Sequence, residues 1–341
     1  MSRHPFYDQT EDLQIAALQR LAADAMAQYG MPNAAIKPLA YRENMTFAID
    51  AGDRGRFALR VHQAGYRTDA QVQSELDFMD YLNNEGVRTP KVIHSTAGTL
   101  FVYARHADVD VPRQCDLFEW IDGREFRQMA ETPPMSIEDA SATYMDVGRQ
   151  AAAIYNASEK WTRPKGFDRP AWDEDGICGP GSHLGDFRDI QGISSTQRRL
   201  LEDVAERVTT ELAAFGKTPD RYGLSQADFL PENIMLCGDG IRIIDFDDAG
   251  DSWIMFDVAT AFIDLADTDY FEPCLGGFVA GFRELRPLPD EQLAMLPTFM
   301  VARLLSYLGH TVSRKHLEVS KSGQEMMLGM LEEYGALYLA S

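Results

Sequence analysis

The segment 225–247 constrains the fold of this chain more than any other part of its sequence. It opens with Ser-Gln-Ala-Asp-Phe-Leu-Pro-Glu-Asn, in which Asp228 and Asn233 are five positions apart. Two short apolar runs follow within 234–244, and the turn-forming residues Cys-Gly-Asp-Gly separate them. The second run leads directly into Asp245. We therefore predict a β-hairpin that carries Asp245 back beside the loop that holds Asp228 and Asn233.

The types and spacing of these residues suit the transfer of a phosphoryl group to a hydroxyl. That reaction needs a carboxylate that orients and deprotonates the hydroxyl, and oxygen ligands for the metal ions that bridge the phosphates. Asp228 can act as the base, and Asn233 and Asp245 can bind Mg²⁺ through a neutral and an anionic oxygen. Because Asp and Asn also favour turns, the spacing of Asp228 and Asn233 alone is also compatible with a purely structural loop.

Together with the hairpin, these residues resemble the catalytic loop and metal-binding aspartate of the aminoglycoside phosphotransferase and choline kinase superfamily. Segments 244–248 and 256–259, Trp253 and the stretch 161–173 are similar to its bacterial branch of homoserine kinase-like, hydroxylysine kinase-like and stress-response kinases. The likeness runs over residues 38–266. It implies an α+β, two-lobed protein kinase-like fold, with a small antiparallel-sheet N-lobe and a larger, mainly helical C-lobe. It further implies ATP and Mg²⁺ as cofactors and a small-molecule hydroxyl as the acceptor.

The pattern of apolar residues changes at the dipeptide Asp122-Gly123. Before this point, short strands are predicted at 46–50, 56–62, 99–104 and 115–121. After it, long helical patterns predominate. We therefore expect residues 1–121 to form the N-lobe, with an N-terminal helix and the nucleotide-binding groups. Residues 122–341 are expected to form the C-lobe, with the catalytic loop, the metal site and the acceptor site.

Arg60 and Glu75 are candidates for holding the nucleotide phosphates. Arg60 lies in Phe-Ala-Leu-Arg, where kinases carry the strand lysine that pairs with phosphates and with a helix glutamate, and Glu75 lies one predicted helix later. A guanidinium binds phosphate oxygens bidentately and remains charged at any working pH, so it is a competent replacement. The structural alternative is an exposed Arg60 and a solvated Glu75.

Two other N-lobe stretches are expected to contact the nucleotide. Asn44 lies in the segment 41–47, which occupies the place of the nucleotide-covering loop but lacks its glycine pattern, so Asn44 or the backbone would make the contact. Leu117, Phe118 and Glu119 lie on the last predicted strand before Gly123, and their backbone groups would hydrogen-bond an adenine edge. An ordinary turn at Asn44 and core packing for the side chains at 117–119 are the alternatives.

Gln226 departs from the family pattern, in which this position is usually His. In related folds the His supports the loop by hydrogen bonding, and a glutamine amide can do part of that work. The substitution, together with the missing glycines, keeps open a nucleotide-binding pseudokinase that acts as an interaction module. A protein Ser/Thr kinase of the stress-response type is the second alternative to a small-molecule kinase.

The chain is acidic, with 53 Asp and Glu against 32 Lys and Arg and a net charge of -21. This balance disfavours nucleic acid and anionic membranes as partners. Four aspartates crowd around the predicted metal site, namely Asp247, Asp248, Asp251 and Asp257. They favour a cationic acceptor such as an amino alcohol or a hydroxylated amino acid, although Asp257 is better explained as a helix cap, and solvated side chains account equally for Asp248 and Asp251.

Other features narrow the class of protein. The sequence has no apolar run near the roughly 20 residues that a membrane span needs and no signal-peptide pattern, so we expect a cytoplasmic protein. Its four cysteines have neither zinc-ligand nor disulfide-framework spacing. The segment 161–190 has no helical period, and an irregular stretch of that length is usually functional or mobile.

Overall fold

The computed structural model describes residues 5–126, 134–313 and 319–341. The chain separates into two compact units. Unit 1 comprises Met1–Gly123 and Thr162–Asp168, and unit 2 comprises Arg124–Trp161 and Arg169–Ser341. The first change of unit lies near the predicted boundary at Asp122, whereas the return of a short later segment to unit 1 was not anticipated.

Unit 1 is built on an antiparallel sheet. Its described helices and strands are, in chain order, α1 (Glu11–Gln28), β1 (Ala35–Tyr41), β2 (Met45–Asp50), β3 (Arg56–Val61), α2 (Asp69–Asn84), β4 (Phe101–Ala104) and β5 (Arg113–Glu119). The strand order is β1-β2-β3-β5-β4, and each neighbouring pair is antiparallel. The predicted antiparallel N-lobe sheet is thus confirmed.

Alternation along the strands gives this sheet two different faces. In β2, Met45, Phe47 and Ile49 are buried and alternate with more exposed residues. They join a core with Leu18, Leu21 and other apolar residues of α1. The opposite face carries the polar residue Arg60 of β3, which contacts α2.

A capping box starts α2. Thr68 is the N-cap: Thr68 Oγ1 accepts from the Gln71 backbone amide, and the Gln71 side chain accepts from the Thr68 amide. The short segment Thr162–Asp168 joins unit 1 beside this helix, since the Asp168 amide donates to Ser74 Oγ at 2.8 Å.

Unit 2 is mainly helical. Its helices are α3 (Ile137–Lys160), α4 (Glu174–Cys178), α5 (Ser195–Phe215), α6 (Ile254–Phe262), α7 (Phe271–Leu285), α8 (Asp290–Leu293), α9 (Leu296–Ser313) and α10 (Val319–Ala340). Its short strands are β6 (Gly123–Glu125, which starts at the change of unit), β7 (Ala171–Trp172), β8 (Tyr222–Ser225), β9 (Ile234–Cys237), β10 (Gly240–Ile243) and β11 (Gly250–Trp253). The α+β, kinase-like fold class is therefore confirmed.

Local sequence signals explain several of these elements. Ser194 and Gln197 form a capping box at the start of α5, and Ser136 caps α3 by accepting from the Asp139 amide. α3 packs closely on α7 because glycine replaces a side chain at the contact: a Cβ at Gly148 would lie 2.1 Å from the backbone of α7.

Strand pairing places the loops of the candidate site side by side. β9 and β10 form the predicted hairpin, in register from Ile234 opposite Ile243 to Cys237 opposite Gly240. β11 pairs antiparallel with β8, so that Gly250 lies opposite Ser225. The segment after β10 is therefore held next to the segment after β8.

Two further findings concern the chain as a whole. Within the described ranges, none of the helices has the length and apolar character that a membrane-spanning segment needs. The four cysteines, which all lie in those ranges, form no disulfide.

Candidate active site

The predicted catalytic loop joins β8 to β9, and its two functional residues are in direct contact. Asn233 Nδ2 donates to Asp228 Oδ2 at 2.8 Å and to the Asp228 backbone carbonyl at 2.9 Å. Asn233 is buried, and its own carbonyl accepts from the Ile244 amide at 2.9 Å. Because the amide nitrogen is directed at Asp228, the Asn233 Oδ1 points away from that carboxylate and can serve another ligand.

Gln226 ties the catalytic loop to the segment that carries Asp245. Its Oε1 accepts from the Asp228 backbone amide at 2.9 Å. Its Nε2 donates to the Asp245 carbonyl at 2.6 Å and to the Ile244 carbonyl at 3.2 Å. The fully buried glutamine amide thus provides the brace that the sequence predicted for this position.

The two segments that Gln226 joins both contain strained backbone. Ala227 has φ 63° and Asp245 has φ 57°, and these are the only non-glycine residues with positive φ in the described part of the chain. Such conformations cost on the order of 1–3 kcal/mol each and persist where surrounding contacts fix them. Their location beside Asp228 is typical of a functional site.

A residue that the sequence analysis missed completes the surroundings of Asp228. Arg303, in α9, donates from Nη2 to Asp228 Oδ1 at 2.6 Å. The arginine side chain is only 2% exposed, whereas that of Asp228 is 19% exposed and so is accessible to an acceptor. Asn233 and Arg303 therefore hold one carboxylate oxygen each.

Burial and the neighbouring charges both shift the pKa of the Asp228 carboxyl group. Burial raises the pKa of its carboxyl group to about 7, and Arg303 opposes that rise. The carboxylates of Asp248, Asp245 and Glu232 raise the pKa further because a second negative charge nearby disfavours ionisation. A carboxylate in this environment can accept a proton near neutral pH.

The segment 161–190, whose role the sequence left open, supports the loop that follows Asp245. Arg169 donates to the carbonyl of Ala249 at 2.6 Å and also to those of Phe246 and Asp247. Trp172 Nε1 donates to the Asp248 carbonyl at 2.8 Å. This part of the segment therefore positions the loop after the hairpin.

The predicted metal ligands offer only a partial coordination sphere. Among the residues that the structure describes, no group of three or more His, Cys, Asp and Glu side chains is placed to hold a metal ion. Asp245 is exposed, and the Asn233 Oδ1 is a second hard oxygen donor. This donor set fits Mg²⁺, which is usually bound through one or two carboxylates together with substrate phosphates and water.

Asp257 has a different role from the predicted helix cap. It lies inside α6 and is 1% exposed, and its Oδ2 accepts from Tyr155 Oη at 2.8 Å and from Ser225 Oγ. Burial raises the pKa of the Asp257 carboxyl to about 7, although the two hydroxyl donors oppose that rise. Asp257 thus anchors the residue before Gln226 to α6.

In unit 1, Arg60 contacts two carboxylates. Its Nη2 donates to Glu75 Oε1 and to Asp116 Oδ2, both at 2.7 Å, and its Nε donates to Asp116 Oδ1 at 3.1 Å. Asp116, which the sequence analysis missed, lies opposite Arg60 on β5, and His62 Nε2 is 2.9 Å from the same carboxylate. Burial alone would raise the pKa of Asp116, but Arg60 and His62 hold it well below its usual range.

The other predicted nucleotide contacts are placed as follows. Asn44 Oδ1 accepts from the Gln63 amide at 3.1 Å, so this side chain links the turn between β1 and β2 to the segment that follows β3. On β5, the Leu117 carbonyl accepts from Ile93, and the Glu119 amide donates to Lys91.

Phe118 is paired with Ala58 in the sheet, and its ring lies 5.3 Å from the Arg60 guanidinium carbon. The Leu117 carbonyl and the Glu119 amide already have backbone partners. The adenine-edge role of Leu117, Phe118 and Glu119 therefore stays a prediction, and it concerns their other backbone groups.

The missed residues left weak signals in the sequence. Arg303 is the one charged residue in the apolar stretch 296–309, and an isolated charge in such a pattern indicates a buried partner. Asp116 similarly lies between two apolar residues of its strand, Cys115 and Leu117. Neither signal identifies the partner, because Asp116 is 56 residues from Arg60 and Asp228 is 75 residues from Arg303.

Comparisons with known proteins agree with this fold. Residues 35–292 match the family described as the phosphotransferase enzyme family. The amicoumacin kinase of Bacillus subtilis is 21% identical to this chain over 324 residues, which cover 90% of this chain and 88% of that protein.

Two solved structures are similar over nearly the whole chain. A microcompartment-associated aminopropanol kinase has a TM-score of 0.79 and 30% identity, covering 94% of this chain and 97% of its own. An amicoumacin kinase in complex with AMP-PNP, Ca²⁺ and Ami has a TM-score of 0.74 and 17% identity, covering 98% of this chain and 96% of its own.

Proposed function

This chain belongs to the phosphotransferase enzyme family, and we propose from that premise that it transfers the γ-phosphate of ATP to a hydroxyl group of a small molecule. The observation that carries the proposal is the contact between Asp228 and Asn233 in a loop that Gln226 links to Asp245. This arrangement supplies a base, two oxygen donors and a rigid backbone that joins them.

The reaction assigned to Asp228 is proton removal from the acceptor. The Asp228 carboxylate accepts a hydrogen bond from the acceptor hydroxyl and takes its proton as the hydroxyl oxygen forms a bond to the γ-phosphorus. The bond from that phosphorus to the β,γ-bridging oxygen breaks, and ADP leaves. Asn233 and Asp245 would hold Mg²⁺, which would neutralise negative charge on the phosphates. Arg60, positioned by Glu75 and Asp116, would bind phosphate oxygens.

An amino alcohol or a hydroxylated amino acid is the acceptor class that we propose. Aminopropanol kinase is named for an amino alcohol, and it is similar to this chain over 94% of the residues. Asp247, Asp248 and Asp251 follow the metal-binding aspartate and are partly exposed, so they provide negative charge for an ammonium group. A small-molecule acceptor is favoured over a protein acceptor because the named relatives are kinases of small molecules.

A screen of acceptors with ATP and Mg²⁺ tests this function. Amino alcohols, hydroxylated amino acids, aminoglycosides and neutral polyols would be compared by coupled ADP release, with mass spectrometry of the phosphorylated product. We expect one amine class to stimulate turnover far above the hydrolysis rate. Slow ATP hydrolysis that no acceptor stimulates would instead support a pseudokinase.

The isosteric variant Asp228→Asn is the matched control for that screen. We expect kcat to fall by roughly 10²-fold or more, because the amide cannot take the proton. The affinity for Mg-ATP should stay within a few-fold of wild type. A variant with nearly normal kcat would contradict the assignment of Asp228 as the base.

A further inference from the structure

Arg303 is held rigidly in the interior of unit 2. The Tyr307 hydroxyl, one turn further along α9, accepts a hydrogen bond from Arg303 Nη2 at 3.0 Å. The Tyr307 ring is 4.2 Å and the Phe256 ring 5.1 Å from the guanidinium carbon. Aromatic contacts of this kind favour a cation and fix the plane of a guanidinium.

The guanidinium is directed at one partner. Arg303 Nη2 reaches Asp228 Oδ1 at 2.6 Å, while Asn233 Nδ2 reaches Oδ2 of the same carboxylate at 2.8 Å. A carboxylate has about four lone-pair sites, so each oxygen retains a site for a further donor. The two contacts leave the carboxylate little freedom to rotate about its Cβ–Cγ bond.

We propose that Arg303 is a positioning residue for Asp228, which fixes the carboxylate in the orientation that accepts the proton of the acceptor hydroxyl. The inference rests on the proposed function, in which Asp228 is the base. Arg303 itself touches neither the hydroxyl nor the phosphates.

The charges around Arg303 are consistent with this role. Asp228, Asp248 and Asp257 are carboxylates that interact with its charge, and the rings of Tyr307 and Phe256 lie beside the guanidinium. Without Arg303, the Asp228 carboxylate would retain Asn233 as its one side-chain hydrogen-bond partner among the described residues, and it would be repelled by Asp245 and Asp248. A displacement of the base by about 1 Å can lower the rate on the order of 10²-fold.

Substitution of Arg303 with a matched control tests the proposal. Arg303→Ala should lower kcat on the order of 10²-fold and leave KM for ATP within about threefold, because binding of the nucleotide does not depend on the base. Arg286 is the control, since it is also buried and paired with a carboxylate, Glu159 at 2.8 Å, away from Asp228. Arg286→Ala should lower the melting temperature while kcat stays near wild type.

Rescue distinguishes positioning from a general loss of structure. Millimolar guanidinium should restore part of kcat to Arg303→Ala and none to Arg286→Ala, and Arg303→Lys should retain more activity than the alanine variant. In the double variant Arg303→Ala/Asp228→Asn, kcat should equal that of Asp228→Asn alone, because the two residues act through one carboxylate.

The outcomes separate this inference from the proposed function. If Asp228→Asn loses activity but Arg303→Ala does not, or if the two losses are additive, the positioning role is overturned. If Asp228→Asn keeps its activity, the proposed function fails first. Should Arg303→Ala not fold, Tyr307→Phe removes a partner of Arg303 and retains the ring, and we then expect kcat to fall with KM for ATP unchanged. An unchanged kcat in Tyr307→Phe would then count against the proposal.

Discussion

At the scale of single residues, Gln226 does more than a histidine can do in the same place. Its amide accepts from the Asp228 amide and donates to the carbonyls of Ile244 and Asp245. A neutral imidazole has one donor and one acceptor, so it can reproduce two of these three bonds. The structure therefore favours a catalytic loop that keeps its supporting hydrogen bonds over one that has lost them.

Substitution of Gln226 tests this interpretation. Gln226→His should keep kcat within about tenfold of wild type, because the loss of one hydrogen bond is worth on the order of 1 kcal/mol. Gln226→Leu removes the whole brace and leaves the strained backbone at Ala227 and Asp245 unsupported, so we expect a loss on the order of 10²-fold. Steady-state kinetics on the best acceptor measure both. A wild-type protein without activity that gains activity as Gln226→His would overturn the interpretation.

Asp116 is a second residue whose contribution can be measured, in this case its contribution to the free energy of unfolding. Asp116→Ala leaves the buried Arg60 with Glu75 as its partner and removes the contact of His62, and we expect the free energy of unfolding to fall by on the order of 3 kcal/mol. Asp122 is the matched control, because it pairs with Arg56 at the surface and is 80% exposed. Asp122→Ala should change stability by less than about 1 kcal/mol. Equal effects in urea unfolding would contradict the role given to the buried cluster.

At the scale of elements, the sequence predicted what local patterns determine. The hairpin of β9 and β10 was predicted because two apolar runs flank a turn. The strands at 46–50 and 56–62 were predicted from their residue pattern in the same way, and they correspond to β2 and β3.

Contacts between elements distant in sequence could not be predicted in this way. The support that Arg169 and Trp172 give to the loop after β10 spans more than 70 residues, and periodicity carries no information about such a pairing. The role of Asp257 is a second example. It is set by hydrogen bonds from Ser225 and Tyr155, which are distant in sequence, and not by a position at the start of α6.

The position of Asp257 in α6 predicts a pH-dependent stability. Its folded pKa is near 7 and its unfolded value is near 3.8, so the folded protein binds the proton more tightly. The stabilisation from this group is complete below about pH 4 and is lost as the pH rises through about 7. Asp257→Asn removes that loss, and the variant should therefore gain stability relative to wild type between about pH 5 and about pH 8.

Thermal unfolding of both proteins across this range measures the effect. Asp228, which titrates in the same range, is present in both proteins, so its contribution largely cancels in the difference. Asp239→Asn is the control, because Asp239 is 60% exposed and pairs with nearby Arg242 at the surface of its hairpin. A difference between wild type and Asp257→Asn that does not vary with pH would contradict the prediction.

At the scale of the whole molecule, the sequence predicts the net charge fully but the division of the chain into two units only in part. The sequence indicated a change near Asp122, where strands give way to helices, but not the return of Thr162–Asp168 to unit 1. That segment is too short and irregular to carry a pattern, and its membership depends on contacts such as the one to Ser74. The net charge of -21, in contrast, is known from composition alone and acts over the whole surface.

This charge predicts how the acceptor KM depends on salt. A negative surface raises the local concentration of a cationic acceptor, and at about 0.15 M salt the field is screened within roughly 8 Å. If the acceptor is an amino alcohol, raising NaCl from about 0.02 to about 0.3 M should increase its KM several-fold, with kcat nearly unchanged because the reacting groups are not screened. A neutral hydroxyl analogue of the same size is the control, and its KM should stay constant. Equal salt dependence for the two acceptors would show that the acidic surface does not attract the substrate, and it would remove the electrostatic argument for a cationic acceptor.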